Sequence, residues 1–276
     1  MTPLRWLQIS LAVPALLAGP GCARDDANLL LVTTTSVRDS GLLGELVPVF
    51  QKQTGIRAQV VAVGSGAALR MGRDGNADVL LTHAPEGEAE LVASGDAVSR
   101  TPIMENYFVI AGPPEDPAGV RDASSPAEAF RRIAAVPAPF VSRGDDSGTH
   151  RREVALLKEA ALDTEGGWEG YVSSGSGMGN TLQIAGERRA YALSDLGTFL
   201  AFQKRIDLES LSQPSPSLRN VYSVLRLNPE KIGPERDDRA RHFETFLLAP
   251  ETQQRIAEFG RERFARPLFW PLHLEP

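Results

Sequence analysis

Cysteine is all but absent: the 276 residues contain one, Cys22, and a lone thiol forms no internal disulfide. Histidine is nearly as scarce, with His83, His150, His242 and His273 scattered along the chain. There is no Cys/His cluster and no His-x-x-x-His pair, so a zinc-type ligand set is excluded. Positive charge is also short, 29 Lys and Arg against 35 Asp and Glu for a net charge of −6. That balance argues against nucleic acid, whose phosphates call for basic patches. The apolar stretch Trp6–Ala18 covers about 13 residues, too few for a bilayer span. No internal repeat, coiled coil or low-complexity tract interrupts the chain. What remains, 42% hydrophobic and 23% charged, is a globular composition long enough for one large or two modest domains.

The N-terminus reads as a secretory leader. Arg5 supplies the positive start, the apolar stretch follows, and small residues lead to Cys22. The sequence Leu17-Ala18-Gly19-Pro20-Gly21-Cys22 is similar to a bacterial lipobox, with Gly19 where an aliphatic residue is usual. Residues 1–22 are therefore expected to be a signal peptide. The mature chain is expected to be exported, either periplasmic or a lipoprotein whose only membrane contact is a lipid on Cys22.

From Leu29 the chain alternates short apolar runs with helical patterns, which predicts an α/β fold with parallel strands. Strands are expected at Leu29–Val32, Ile56–Val63 and Asp78–Leu81, with helices between them. Met104–Ala111 and Asn220–Leu227 read as two crossing segments, Val136–Val141 as a further strand, and Arg239–Leu248 and Glu251–Phe259 as closing helices.

Three strand-to-helix loops share one composition, small hydroxyl residues and glycine: Thr33–Ser36, Gly64-Ser65-Gly66 and Arg143–Thr149. Any one could be simple helix capping. In a parallel sheet, however, such loops open at the same carboxyl edge, where ligands bind. Helix N-termini there offer free amides to an anion. Ser147 and Thr149 add hydroxyls, and Arg143 adds a guanidinium that stays charged at any working pH. It is the one cation expected in the pocket. Asp145 and Asp146 are expected to orient the loop or pair with Arg143, because a carboxylate facing an oxyanion is costly.

Enzymatic readings fail on the same residues. The stretch Asp145-Asp146-Ser147-Gly148-Thr149 is no Gly-x-Ser-x-Gly elbow, and His150 at a helix start need not face Ser147. Gly175–Gly179 has Gly-x-Gly-x-Gly spacing without a continuous apolar strand before it, so it is not a dinucleotide fingerprint. It suits a donor-rich wall. No catalytic residue, cofactor or resident metal is expected.

The motifs in order resemble the tungstate-binding proteins of TupA-type ABC transporters. They are Thr33-Thr34-Thr35-Ser36 with Ser40-Gly41-Leu42-Leu43, Val63-Gly64-Ser65-Gly66, Ser142-Arg143-Gly144-Asp145 with Ser147-Gly148-Thr149-His150, Gly177-Met178-Gly179, and Ala190-Tyr191 with Asp195 and Gly197-Thr198. The resemblance implies a two-lobed periplasmic-binding-protein fold, type II-like. Each lobe would be a mostly parallel sheet flanked by helices, with two crossing segments. Lobe 1 would hold residues 28–108 plus 222–276, and lobe 2 residues 109–221. It implies a monomer that holds tungstate and delivers it to a membrane permease. The ligand-binding residues would be Thr34, Thr35, Ser36, Ser65, Arg143, Ser147, Gly148 and Thr149, with the choice between Thr34 and Thr35 left open. Phosphate, molybdate or sulfate are alternative ligands, and an oxyanion sensor for a membrane partner is an alternative role.

Overall fold

Strand β1 (Asn28–Thr34) is the first element of the computed structural model, which describes residues 28–136, 138–163 and 167–274. The expected leader and Cys22 lie outside the described residues. The apolar run of β1 is continuous because both faces of the strand are covered. Leu29 and Leu31 pack with Phe50 and Phe243 on one side, and Val32 packs with Ala68, Leu69 and Leu91 on the other.

The chain continues through α1 (Thr35–Ser40), α2 (Leu42–Thr54), β2 (Arg57–Val63), α3 (Ser65–Arg73), β3 (Val79–Thr82), α4 (Pro85–Ala93) and β4 (Ala97–Gly112). Then come α5 (Pro126–Ala135), β5 (Phe140–Ser142), α6 (Gly148–Glu159), β6 (Tyr171–Ser173), α7 (Met178–Arg188), β7 (Ala192–Asp195), α8 (Leu196–Phe202) and β8 (Glu209–Ser210). The last segment holds β9 (Arg219–Leu227), α9 (Pro229–Ile232), α10 (Pro234–Leu248), α11 (Pro250–Glu258), α12 (Arg261–Phe264) and β10 (Trp270–Pro271).

The large sheet runs in the order β10-β4-β9-β3-β1-β2. Its β2-β1-β3 portion is parallel, as the alternation of strands and helices requires. Strands β9 and β4, which hold the crossing segments, and β10 from the C-terminal end pair antiparallel, so the sheet is mixed. Strand β4 joins two parts of the molecule. Residues from Ala97 to Tyr107 pair with β9, and Phe108–Ala111 then pair with β7. In that second stretch Phe108 and Ile110 face one apolar cluster while Val109 and Ala111 face another. Strand β9 returns antiparallel beside β4, giving the two expected crossings. Strands β5 and β6 form a separate parallel pair.

Two expectations shift in extent. Strand β4 begins at Ala97, ahead of the expected Met104, because its early half is held by pairing with β9 although Arg100, Thr101 and Pro102 break the apolar pattern. The register slips between Pro102 and Met104, where a missing N–H is tolerated. Strand β5 is only three residues long because Pro139, just before it, has no N–H to donate. The Pro139 carbonyl accepts Tyr191 N–H at 2.8 Å instead.

Phe50 ties α2 to α10, with Phe243 edge-on at 5.1 Å and Phe246 at 5.5 Å between ring centroids. Phe50→Ala is expected to cost about 3–5 kcal/mol, seen as a lowered denaturant midpoint with the m-value unchanged.

Candidate functional site

Five strand-to-helix loops meet at the carboxyl edge: β1 into α1, β2 into α3, β3 into α4, β5 into α6, and β6 into α7. They surround a cavity of ≈ 360 Å³ that all eight expected residues line: Thr34, Thr35, Ser36, Ser65, Arg143, Ser147, Gly148 and Thr149. Gly177, from the glycine-rich stretch before α7, closes another wall. Thr33 is excluded, since its hydroxyl donates to the Leu81 carbonyl at 2.8 Å inside the sheet. Thr34 and Thr35 both reach the cavity.

Helices α3, α6 and α7 all begin at this edge, after Gly64, Ser147 and Gly177. The first-turn amides of a helix have no acceptor within it. Those of Gly66 and Gly148 therefore belong to residues on the cavity wall. Ser147 plays a different part from the one its hydroxyl suggested. Its Oγ accepts the His150 N–H at 3.3 Å as the N-cap of α6, and its own N–H goes to Asp145 Oδ1 at 3.2 Å. His150 Nδ1 accepts the Asp146 N–H at 3.1 Å, so that imidazole orders the loop.

Arg143 is 7% exposed. One of its terminal nitrogens, Nη2, pairs with Asp145 Oδ2, while its Nε is buried and has no partner among the described residues. Burial alone would raise the Asp145 carboxyl. Hydrogen bonds from Ser147 and the charge of Arg143 outweigh that and hold it below the usual carboxylate value. Asp146 makes a two-point pair with Arg151, at 2.9 Å for each bond. Both aspartates thus act on the loop as expected, although both also line the cavity.

Gly144 permits this arrangement through its φ of +59° and its closeness to β6. A β-carbon there would fall 1.6 Å from Ser173 Oγ. Across the cavity, Gly148 abuts the first part of the chain. A β-carbon on it would lie 2.9 Å from His83 Cε1 and 3.2 Å from Ser65 Oγ.

Two wall residues escaped the sequence reading. Arg70, on α3, is a second cation at the cavity, which corrects the expectation of a single one. Its place five residues after Ser65, little more than one helical turn, was the signal available. His83 sits just after β3, a fourth strand-to-helix loop at the same edge. It is buried, with Nε2 3.1 Å from Ser36 Oγ and Nδ1 2.9 Å from Asn220 Oδ1.

A family model described as a PBP superfamily domain matches residues 21–251. The tungstate-binding protein TupA of Peptoclostridium acidaminophilum is 43% identical over 246 residues, 88% of this chain and 85% of that protein. The chain belongs to the TupA family of the PBP superfamily. The solved tungstate-binding TupA of Desulfovibrio alaskensis G20 superimposes with a TM-score of 0.79 at 39% identity, covering 88% of this chain and 98% of that one. A structure described as the tungstate ABC transporter from Geobacter sulfurreducens gives 0.76 at 42% identity, covering 84% and 98%.

Asp145→Asn removes the charge that Arg143 faces and is expected to cost about 1–3 kcal/mol at neutral pH. Because the folded-state carboxyl lies below its unfolded value, that contribution is present above about pH 4 and is lost as pH falls through the folded value. The stabilities of wild type and variant, from denaturant titrations at several pH values, should therefore converge in acid.

Proposed function

We propose that this chain is the extracytoplasmic binding component of an ABC transporter and that it holds a tetrahedral oxyanion, tungstate, in the ≈ 360 Å³ cavity. The observation that carries this reading is the convergence, on one cavity, of hydroxyls and helix-start amides from separate loops around the buried guanidinium of Arg143. Its Nε is a buried donor in want of an acceptor, as a site for oxygen-rich anions provides. The names of the relatives carry the choice of tungstate among oxyanions. The role is capture and delivery, without turnover.

On this reading Thr34, Thr35, Ser36, Ser65, Arg143, Gly148 and Thr149 supply donors, and Ser147 holds the α6 start in place. Lobe 1 is residues 28–108 plus 222–276 and lobe 2 residues 109–221. The exchange of β4 partners from β9 to β7 at Phe108 supports that division. The lobes close by bending at β4 and β9, and the permease recognises the closed form. The protein acts as an exported monomer, tethered by a lipid on Cys22.

A five-atom anion at about 1.5 kcal/mol per heavy atom gives about 7.5 kcal/mol, near micromolar affinity. Phosphate is the alternative that Asp145 and Asp146 raise, since a carboxylate can accept the hydrogen of a protonated phosphate. Both carboxylates are already engaged by Arg143 and Arg151, which favours a fully ionised ligand.

Calorimetry with tungstate, molybdate, sulfate and phosphate tests the assignment. Tungstate should bind at micromolar or tighter concentration, and binding of phosphate alone would overturn it. Arg143→Ala should weaken tungstate by roughly 10- to 150-fold, the worth of one charge-assisted hydrogen bond. Gly148→Ala should weaken it at least about tenfold, because the added methyl would crowd His83 and Ser65 at the cavity wall.

A further inference from the structure

The hydroxyls of Thr34 and Ser36 begin a buried polar chain that runs away from the cavity to the crossing strands. Thr34 Oγ1 lies 3.0 Å from Ser36 Oγ, and Ser36 Oγ lies 3.1 Å from His83 Nε2. His83 Nδ1 then meets Asn220 Oδ1 at 2.9 Å. Asn220 Nδ2 donates to Asn106 Oδ1 at 2.9 Å and to the Tyr222 hydroxyl at 2.8 Å.

This chain has a direction. Asn220 spends its amide hydrogens on Asn106 and Tyr222, so the atom it offers His83 is an acceptor and Nδ1 must carry a hydrogen. A neutral imidazole then has only a lone pair at Nε2, which takes the Ser36 hydroxyl proton. Ser36 has no second proton, so the Thr34 hydroxyl donates to Ser36. Both hydroxyl protons point inward, and what these two side chains turn toward the cavity is oxygen lone pairs. A dianion would meet the wrong end of both.

We propose that His83 is a positioning residue that sets the polarity of this chain, and that closure on a fully ionised oxyanion brings one proton from solvent onto Nε2. With Nε2–H donating to Ser36 Oγ, the chain reverses and ends in an O–H that faces the ligand. This rests on the oxyanion reading given above and adds to it the means by which the Thr34–Ser36 wall becomes a donor wall.

The charges around the ring suit that step. Asp195, at the start of α8, accepts the Thr198 N–H on Oδ1 at 2.9 Å, while its Oδ2 is buried without a partner among the described residues. Glu88 on α4 faces the ring with Arg100 attached at 2.8 Å, and Arg143 approaches from the α6 loop with Asp145. Tyr222 on β9 stacks at 4.9 Å between ring centroids. In the free protein, burial, with the charge of Arg143 added to it, pushes the imidazole below its ordinary value against the pull of Asp195, the Asn220 hydrogen bond and Glu88. A dianion arriving one side chain away adds two negative charges on the same side of that balance.

The consequence reaches specificity. Neutral His83 leaves acceptors at the wall, which suit an anion that brings its own hydrogen, such as hydrogen phosphate. Protonated His83 leaves a donor, which suits tungstate. Affinity for tungstate is then highest at low pH and falls as pH rises through the ligand-bound value of His83, by up to about tenfold per pH unit.

Calorimetry of the mature protein with tungstate near pH 7.5, in buffers of differing ionisation enthalpy, reads the proton directly. The expected result is uptake approaching about one proton per tungstate bound. His83→Gln should bind tungstate with no uptake and no pH dependence between about pH 6.5 and 8.5, and His242→Gln, exposed on α10, should keep both. Should His83→Gln fail to fold, the buffer series on the wild-type protein still decides. Tungstate binding with heat independent of buffer would overturn the proposal, meaning that the amides of Asn220 and Asn106 turn over instead. Absence of tungstate binding would remove the functional reading itself, a distinguishable result.

Discussion

A guanidinium held out of water must be answered by its surroundings, and the site is built around how that is done for Arg143. One answer is internal: Asp145, two residues on, takes one side of the fork. That contact forces the loop into the tight path for which Gly144 adopts positive φ, pressed against β6. The same aspartate receives the Ser147 N–H and so fixes where α6 begins. One ion pair therefore sets loop path, strand packing and helix start, and leaves Nε as the donor still to be matched.

The remaining donors are neutral, and this matters for an anion that must shed its water. Helix-start amides are oriented by the fold before any ligand arrives, so that part of the wall reorganises little on binding. Arg70 adds exposed positive charge at the rim, where it attracts without being desolvated. Attraction and desolvation are thus divided between two arginines, one exposed and one buried.

Much of this was legible in the sequence, since strand, polar loop and helix recur with one composition. The parallel portion of the sheet and all three donor loops follow from that pattern. Other features depend on what lies across the fold. Thr33 and Thr34 are chemically alike, and only the register beside Leu81 turns one of them into the sheet. His83 looks unremarkable in a chain with no metal or nucleophile motif; its meaning comes from Asn220, which lies far along the sequence. Ser147 had two readings, donor and cap, and the backbone uses its oxygen as a cap. The early half of β4 was hidden because Arg100 and Pro102 resemble loop residues until β9 is laid beside them.

Strand β9 carries a further consequence. It lies between β3 and β4, so the middle of the main sheet is supplied by residues 219–227, long after its neighbours have been made. Until that segment arrives, β3 and β4 have no common partner and Leu80, Leu81 and Met104 have no cover from that side. Closing so wide a loop is an entropic hurdle that makes assembly slow and late. A polypeptide emerging from its N-terminus therefore leaves its main sheet unclosed through most of its length and completes it only when residues 219–227 arrive.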